Sequence, residues 1–460
     1  MKIVVIGGVA AGAKTAAKSK RILGKTSDIT IYTDDTHVSY SSCGIPYYIE
    51  GNFEDYETLL VRTPEEFEAG GIKVRLRHKV TKIIPESKQV LIYDMQSKIA
   101  FLDNYDKLII ATGARPIVPP IKNNRFKRIF TVRKIEDAIN IKAALKTSKS
   151  AVIIGGGYIG LEMLEAFVRN NVFTTVIERG SHLMSVLDED MSEKILTGLE
   201  QINNGRFKIM LNETVTECEG NFAGIQKVHT QSGKIIEADL VVICVGVRPN
   251  TELAVDAGIE LGETGAIKVS RRMETSVPDI YACGDCVEEN LIVTNTPIWM
   301  PLGSNANKEG RCAAINACGG FDEFHGVLAS AVTRCLKLTV SMTGLTETMA
   351  RKHNIETLSA TVTKSDKVGY MPDAQTITLK LIADKNTGKL LGGQAVGSGD
   401  TDKRINTLAT ALLAGLTAKE FERNDITYAP PFSPTIDPLL NAAQILISKL
   451  EKGSEPTPRP

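Results

Sequence analysis

The stretch "SYSSCGIPYY", residues 39–48, holds one thiol, Cys43, whose nearest cysteine in the chain is Cys218. A thiol attacks as its thiolate, and a place in the first turn of a helix favours that form through unpaired N–H groups and the helix dipole. The polar Ser41 and Ser42 before it argue against a packed core cysteine, and Gly44 after it is expected to leave the approach to the sulfur open. Such a sulfur can take up half of a small disulfide as a mixed disulfide, with no second protein thiol. The other cysteines do not repeat that setting. Cys283 and Cys286 form "CGDC" and, with Cys312 and Cys318, offer a zinc set, but five residues split the second pair, whereas zinc knuckles recur as tight pairs. They are expected to be structural thiols, and no metal is expected.

Two strand-to-glycine turns are the elements that would set this thiol beside a redox partner. "IVVIGG" runs into "GGVAAGAKTAAKSKRIL" at the start of the chain, and "AVII" runs into "GGGYIGLEMLEAFVRN" from residue 151. In each, a β-branched run ends in glycines and a helix-favouring stretch follows, the entry of a doubly wound nucleotide-binding fold. The glycines let the backbone turn tightly and approach a pyrophosphate, which lies on the helix N-terminus. The second turn has Gly155, Gly157 and Gly160 in regular spacing; in the first, with Gly7, Gly8 and Gly12, Val9 takes the middle glycine's place. "FTTVIE" ends at Glu178, about 20 residues past the glycines, where a carboxylate accepts from a ribose 2′-hydroxyl. That favours NADH, and Arg179 beside it keeps NADPH as an alternative. In the first unit "SDITIYTDD" offers Thr33 and Asp34 for the same role, and Asp34 is assigned. The stretches "YDKLIIATGARP" (105–116) and "LVVICVGVRPN" (240–250) read as strands leading into domain crossovers, and Asp285 follows a strand and a glycine in "IYACGDC".

With 460 residues the chain has room for roughly three domains. Its 54 basic and 54 acidic residues exclude a nucleic-acid or membrane-surface partner recognised by bulk charge. "MKIVVIGG" does not read as a leader, and runs such as "LVVICVGV" fall short of the roughly 18 apolar residues of a membrane span, so a cytoplasmic protein is expected. Near the C-terminus "TITLKL" alternates with period 2, Ile405, Leu408, Leu412, Leu413 and Leu416 share one helical face, and "GSEPTPRP" has the composition of a disordered end.

Taken in order, "GGVAAG", "SSCGIPYY", "IIATGARP", "GGGYIGLE", "VGVRPN", "YACGDC" and "YAPPFSPTIDP" resemble the flavoprotein pyridine nucleotide-disulfide oxidoreductases over nearly the whole chain. The resemblance implies an α/β fold of two Rossmann-like nucleotide-binding domains, for FAD and for NAD, with the NAD domain inserted, and a C-terminal α+β dimerisation domain. The boundaries that follow are 1–115 with 246–323 for FAD, 116–245 for NAD(H), 324–452 for dimerisation and 453–460 for the tail. It further implies that FAD is held by Gly7, Gly8, Ala11, Gly12, Asp34, Ser42, Val80, Ala111, Thr112, Gly113, Asp285, Pro301 and Leu302. NADH falls to Gly155, Gly157, Tyr158, Ile159, Gly160, Glu162, Glu178 and Gly246, with Glu162 facing the nicotinamide. Tyr428, and with it Tyr370, would face Cys43 of the other chain of a homodimer as hydrogen-bond donors to a departing sulfur.

Within that family Cys43 selects a branch. Glutathione-reductase-like members carry two redox cysteines separated by four residues and a late histidine followed by glutamate, whereas the last histidine here is His353. The single-cysteine branch holds coenzyme A-disulfide reductases, persulfide and polysulfide reductases, NADH oxidases and NADH peroxidases. Peroxidase members place histidine where this chain has Ala10. The expected activity is electron transfer from NADH through FAD and Cys43 to a coenzyme A disulfide, coenzyme A persulfide or polysulfide. An NADH oxidase and an electron-transfer subunit of a larger complex are the alternatives. Lys14, Lys18 and Arg21 form a basic stripe on the first helix that, with Ser39 and Arg62, would hold coenzyme A phosphates.

Overall fold

The computed structural model describes residues 1–453. The expected tail, 453–460, lies outside them except for Gly453, which ends the helix Pro438–Gly453.

The first glycine turn leaves a five-stranded sheet ordered Ile280–Ala282, Lys107–Ile110, Lys2–Ile6, Asp28–Tyr32 and Ile72–Arg75, all parallel. Ile3, Val4 and Val5 are fully buried, because both faces of the sheet are covered and an unbroken apolar run suits such a strand. Helix Ala10–Leu23 and helix Gly303–Ala317 cover one face. Their backbones come close: a Cβ on Gly310 would stand 2.5 Å from the Ala11 carbonyl oxygen, so the small residues of "AAGAKTAA" set the spacing. The antiparallel strands His78–Ile84, Gln89–Asp94 and Ala100–Asn104 pack on the other face through Val80, Ile83, Val90 and Ile92.

The second unit repeats the plan. Phe207–Met210, Phe173–Ile177, Ser150–Ile154, Leu240–Ile243 and Ile129–Thr131 form a parallel sheet in that order, and Tyr158–Arg169 is its glycine-turn helix. The chain passes between the units along Ala114–Pro116 and Val247–Pro249, which pair antiparallel.

An antiparallel sheet, Ala331–Cys335, Leu338–Gly344, Leu390–Gly397, Thr376–Asp384 and Thr357–Ser365, builds the C-terminal part. The alternation of "TITLKL" does not mark a solvent face here. Strand Thr376–Asp384 is buried on both sides, with helices Thr401–Ala414 and Pro438–Gly453 against one and helix Glu189–Ile202 against the other. Lys380 tolerates this because Asp188 (3.2 Å), Asp190 (2.9 Å) and Glu347 (2.5 Å) surround its ammonium. The expected helical face also shortens. Ile405, Leu408 and Leu412 are buried, but Leu413 points outward at 64% exposure, and Gly415 in the left-handed conformation ends the helix before Leu416. Among the described residues no helix is long and apolar enough to cross a membrane.

Candidate active site

The two glycine turns are alike in detail. Gly7 donates to the Tyr32 carbonyl and Gly155 to that of Ile177, each at 2.8 Å. Gly7 and Gly155 hold φ of +103° and +107°, where an L side chain is strained. A Cβ on Gly12 would stand 1.9 Å from the Gly7 oxygen, and one on Gly160 would stand 2.0 Å from the Gly155 oxygen. Gly157 faces open space. It has φ −86° and its counterpart Val9 has φ −91°, values open to any residue, which is why valine serves there. Neither following helix has a side-chain cap or an acid in its first turn, so the terminal N–H groups face outward unneutralised. Both cradles therefore fit the pyrophosphate of a dinucleotide.

Glu178 is fixed by its own turn. Its Oε2 accepts from Gly156 N at 2.7 Å and its Oε1 from Gly180 N at 2.6 Å. In strand register Gly7 corresponds to Gly155, so Thr33 corresponds to Glu178, and Asp34, the residue assigned from sequence, lies one step further on. The Asp34 carboxylate is half exposed and accepts from Lys134 Nζ at 3.3 Å.

Cys43 lies in the turn Ser42–Gly44, ahead of the six-residue helix Ile45–Glu50, and is accessible. Ser39, at φ +50°, links this segment to the first cradle by donating its N–H to the Gly8 carbonyl at 2.7 Å. Gly44 serves packing rather than sulfur access: a Cβ there would come within 2.4 Å of Leu59 Cδ2. The electrostatics also differ from the expectation. Partial burial pushes the Cys43 thiol above its ordinary value, and the charges of Glu162 and Asp285 push it further, against Ser42 and Arg133. Its own helix is too short to reverse this. The helix that opens toward the sulfur is Gly303–Ala317, uncapped by a side chain, where a Cβ on Gly303 would stand 3.8 Å from Sγ. Pro301 and Leu302 lead into that end, both half-buried.

Glu162 accepts from Thr333 Oγ1 at 2.9 Å, and burial raises its carboxyl. Tyr158 and Ile159 are half-buried in the same first turn, and burial raises the Tyr158 phenol to about 12. Asp285 accepts from Arg133 Nη2 at 2.9 Å while its carbonyl accepts from Trp299 Nε1 at 3.0 Å. Thr112 and Gly113 are stitched to the returning crossover, with Thr112 Oγ1 donating to Asn250 O at 2.7 Å and Asn250 N to Gly113 O at 2.9 Å. Ala111 turns its carbonyl oxygen against Gly7, and Val80 is buried in the core, paired with Ile92 across two antiparallel strands. Gly246, at φ +109°, accepts from Ile117 N at 2.9 Å across the crossover.

Arg133, Trp299 and Thr333 escaped the reading of the sequence. Only the basic pair in "TVRKIED", just before a helix, was there to be noticed. A buried carboxyl pair was also missed. Glu309 accepts from Gly284 N at 2.6 Å, and Glu289 from Met300 N at 2.7 Å. Burial raises both carboxyls, and the charge of Glu309 raises Glu289 further, so the folded pair holds its protons to higher pH than exposed carboxyls do; Glu309 Oε1 has no hydrogen-bond partner among the described residues.

The basic stripe is in place: Lys14 and Lys18 are half-buried, Arg21 is exposed, and none of them makes an ion pair among the described residues. Arg62 lies over the Phe67 ring at 5.1 Å. Tyr428 and Tyr370 are 50% and 72% exposed, and neither bonds to Cys43 within the chain. Cys283 and Cys286 are buried, the latter donating to the Ile110 carbonyl.

Residues 331–439 match the dimerisation domain of the pyridine nucleotide-disulphide oxidoreductases. The NAD(P)H coenzyme A polysulfide/persulfide reductase of Pyrococcus horikoshii is 36% identical over 448 residues, 97% of this chain and 98% of that protein. A Methanocaldococcus jannaschii protein named NADH oxidase is 32% identical over 461 residues, 98% of this chain and 99% of that one. Among solved structures, a NAD-dependent persulfide reductase from A. fulgidus has a TM-score of 0.94 at 35% identity, over 98% of this chain and 84% of that one. The family described as pyridine nucleotide-disulphide oxidoreductase matches residues 1–310, which include both cradles and the Cys43 turn, and the chain belongs to that family.

Proposed function

We propose that this protein is an FAD-dependent reductase that passes electrons from NADH, through Cys43, to a small sulfur acceptor: a coenzyme A disulfide, coenzyme A persulfide or polysulfide. The observation that carries this reading is the accessible Cys43, whose sulfur lies beside Gly303 at the start of helix Gly303–Ala317 and feels the charges of Glu162 and Asp285. In this reading the first cradle with Asp285 and Arg133 holds the flavin, the second with Glu178 holds the nicotinamide nucleotide, and 324–452 pairs two chains. Bound there, FAD supplies a relay of two electrons from nicotinamide to sulfur.

The chain's own residues do the rest. The Cys43 thiolate attacks the acceptor's S–S bond; the new S–S bond forms as the old one breaks, and the departing thiolate accepts hydrogen bonds from Tyr428 and Tyr370 of the other chain. Two electrons then cleave the mixed disulfide, returning the Cys43 thiolate and releasing the second thiolate, which takes a proton from solvent. Lys18 and Arg21 offer cations to the acceptor's phosphates, and Ser39 and Arg62 border them.

Cys43→Ser tests this. NADH is expected to reduce the variant's flavin under anaerobic conditions, since that step needs no thiol, while turnover with each sulfur acceptor falls to background. Wild-type turnover in the serine variant would refute it. The relative named NADH oxidase gives a second reading, reduction of oxygen through the same sulfur. It would lead if wild type consumed NADH with oxygen faster than with every sulfur acceptor.

A further inference from the structure

The tyrosines assigned above sit on two separate exposed segments, 366–375 and 428–437, and one buried side chain ties them together from inside. Arg404 is 1% exposed, in the first turn of helix Thr401–Ala414. Its Nε donates to both Asp437 oxygens at 3.2 and 3.1 Å, and its Nη2 lies 2.9 Å from Asp437 Oδ2. Nη2 also donates to the Asp366 carbonyl at 2.8 Å, and Nη1 to the Asp400 carbonyl at 2.8 Å.

Each anchor closes a tyrosine segment. Asp437 accepts from Ser433 Oγ at 3.1 Å and from Leu439 N at 2.9 Å, which pins the end of "YAPPFSPTID" to the start of the last helix. Asp366 closes the other loop: its N–H donates to Gln375 O at 2.8 Å and its Oδ1 accepts from Gln375 N at 2.7 Å. Tyr370 lies inside that loop. A buried ion pair is weak evidence of stability, since well-packed apolar residues of equal volume serve as well. What a planar fork adds is direction, because it fixes several acceptors at once in one geometry.

We propose that Arg404 is the positioning residue shared by Tyr370 and Tyr428, holding both tyrosine segments in register so that they meet the Cys43 of the other chain together. This rests on the tyrosine role assigned under the proposed function. A lysine keeps the charge and can satisfy Asp437, but cannot also hold the Asp366 and Asp400 carbonyls.

The test compares Arg404→Lys, Tyr428→Phe, Tyr370→Phe and the double variant Arg404→Lys/Tyr428→Phe in FAD-loaded protein, with coenzyme A disulfide as acceptor. Arg404→Lys is expected to lower kcat about tenfold or more, the scale of a misplaced group near reacting atoms, with flavin reduction by NADH and FAD content unchanged. The double variant should lose no more than the worse single variant, since Arg404 acts through the tyrosine. Asp437→Asn, which keeps the side-chain shape, should give the same pattern and serves if Arg404→Lys folds poorly. Wild-type kcat in Arg404→Lys and Asp437→Asn, or losses that multiply in the double variant, would overturn the proposal while leaving the tyrosine role intact. Silent Tyr428→Phe and Tyr370→Phe would instead overturn the tyrosine role, and this proposal with it.

Discussion

Glu178 offers the most direct test of nucleotide choice, because the structure separates its two tasks. Two backbone N–H groups, Gly156 at 2.7 Å and Gly180 at 2.6 Å, already hold the carboxylate in place. The remaining lone pairs are free for a ribose 2′-hydroxyl, and a hydrogen bond to a charged group is worth about 1.5–3 kcal/mol, or roughly 10- to 150-fold. A 2′-phosphate would bring about −1.5 to −2 charges against that fixed carboxylate, with Arg179 next to it in the chain to compensate in part. Both effects favour NADH.

Two substitutions divide the tasks. Glu178→Gln keeps one oxygen for the turn but removes the charge, so kcat/KM for NADH is expected to fall about 10- to 100-fold while that for NADPH holds or rises. Glu178→Ala also strips the turn's acceptors, and an unsatisfied N–H costs about 1–3 kcal/mol, so both nucleotides should suffer. The assay is steady-state kcat/KM for each nucleotide at saturating sulfur acceptor. A Glu178→Gln enzyme that keeps the wild-type NADH-to-NADPH ratio would refute the reasoning.

Gly160→Ala should abolish NADH-driven flavin reduction while the protein still binds FAD, because the added Cβ would meet the Gly155 oxygen at 2.0 Å and only the second cradle would distort; unchanged reduction kinetics by stopped flow would contradict this. The Glu289–Glu309 pair sets a pH dependence, with Asp285 as the further charge that raises both. In the unfolded chain both ionise near the ordinary value of 4.5, whereas the folded pair keeps protons to higher pH. Their contribution to stability is therefore complete below that value and is lost as pH rises through the raised folded values. Glu289→Gln, neutral at every pH, should flatten the fall in thermal midpoint between pH 5 and pH 9, and parallel curves for variant and wild type would rule this out.

What the sequence made legible were residues whose demands are local. Gly7, Gly12, Gly155 and Gly160 stand in turns so tight that one added carbon collides with main chain, and a steric rule at one position survives without knowledge of the fold. Glu178 was legible because it ends the strand next to the glycine strand, a distance set by one helix. Asp34 was offered by the same count, but register puts Thr33 opposite Gly7, and strand register is invisible until strands are paired. Arg133 meets Asp285 across 152 positions, and Arg404 meets Asp437 across 33, so neither pairing has a period or spacing to betray it. Lys380 reads as a solvent residue in an alternating strand and turns out buried among carboxylates far from it in sequence, Asp188 and Asp190 at the start of helix Glu189–Ile202 and Glu347 from its own part of the chain.

The electrostatics of Cys43 link these pieces to the chemistry. Partial burial raises the thiol, and carboxylates from both nucleotide units, Glu162 and Asp285, raise it further, which reduces the thiolate fraction. The same shift makes the thiolate that does form a stronger nucleophile, because nucleophilicity rises with pKa. It also makes Cys43 the poorer leaving group. In a mixed disulfide the sulfur of lower pKa departs, so a coenzyme A or hydrosulfide sulfur leaves more readily than Cys43. A low-pKa cysteine would be attacked and released again, returning the substrate unreduced. The partial positive charge at the uncapped N-terminus of helix Gly303–Ala317, whose first residue lies beside the sulfur, favours the thiolate there. A single thiol without a protein partner thus gains direction from its surroundings: its raised pKa biases which sulfur of the mixed disulfide leaves, and the start of helix Gly303–Ala317 lies beside the sulfur that carries the charge.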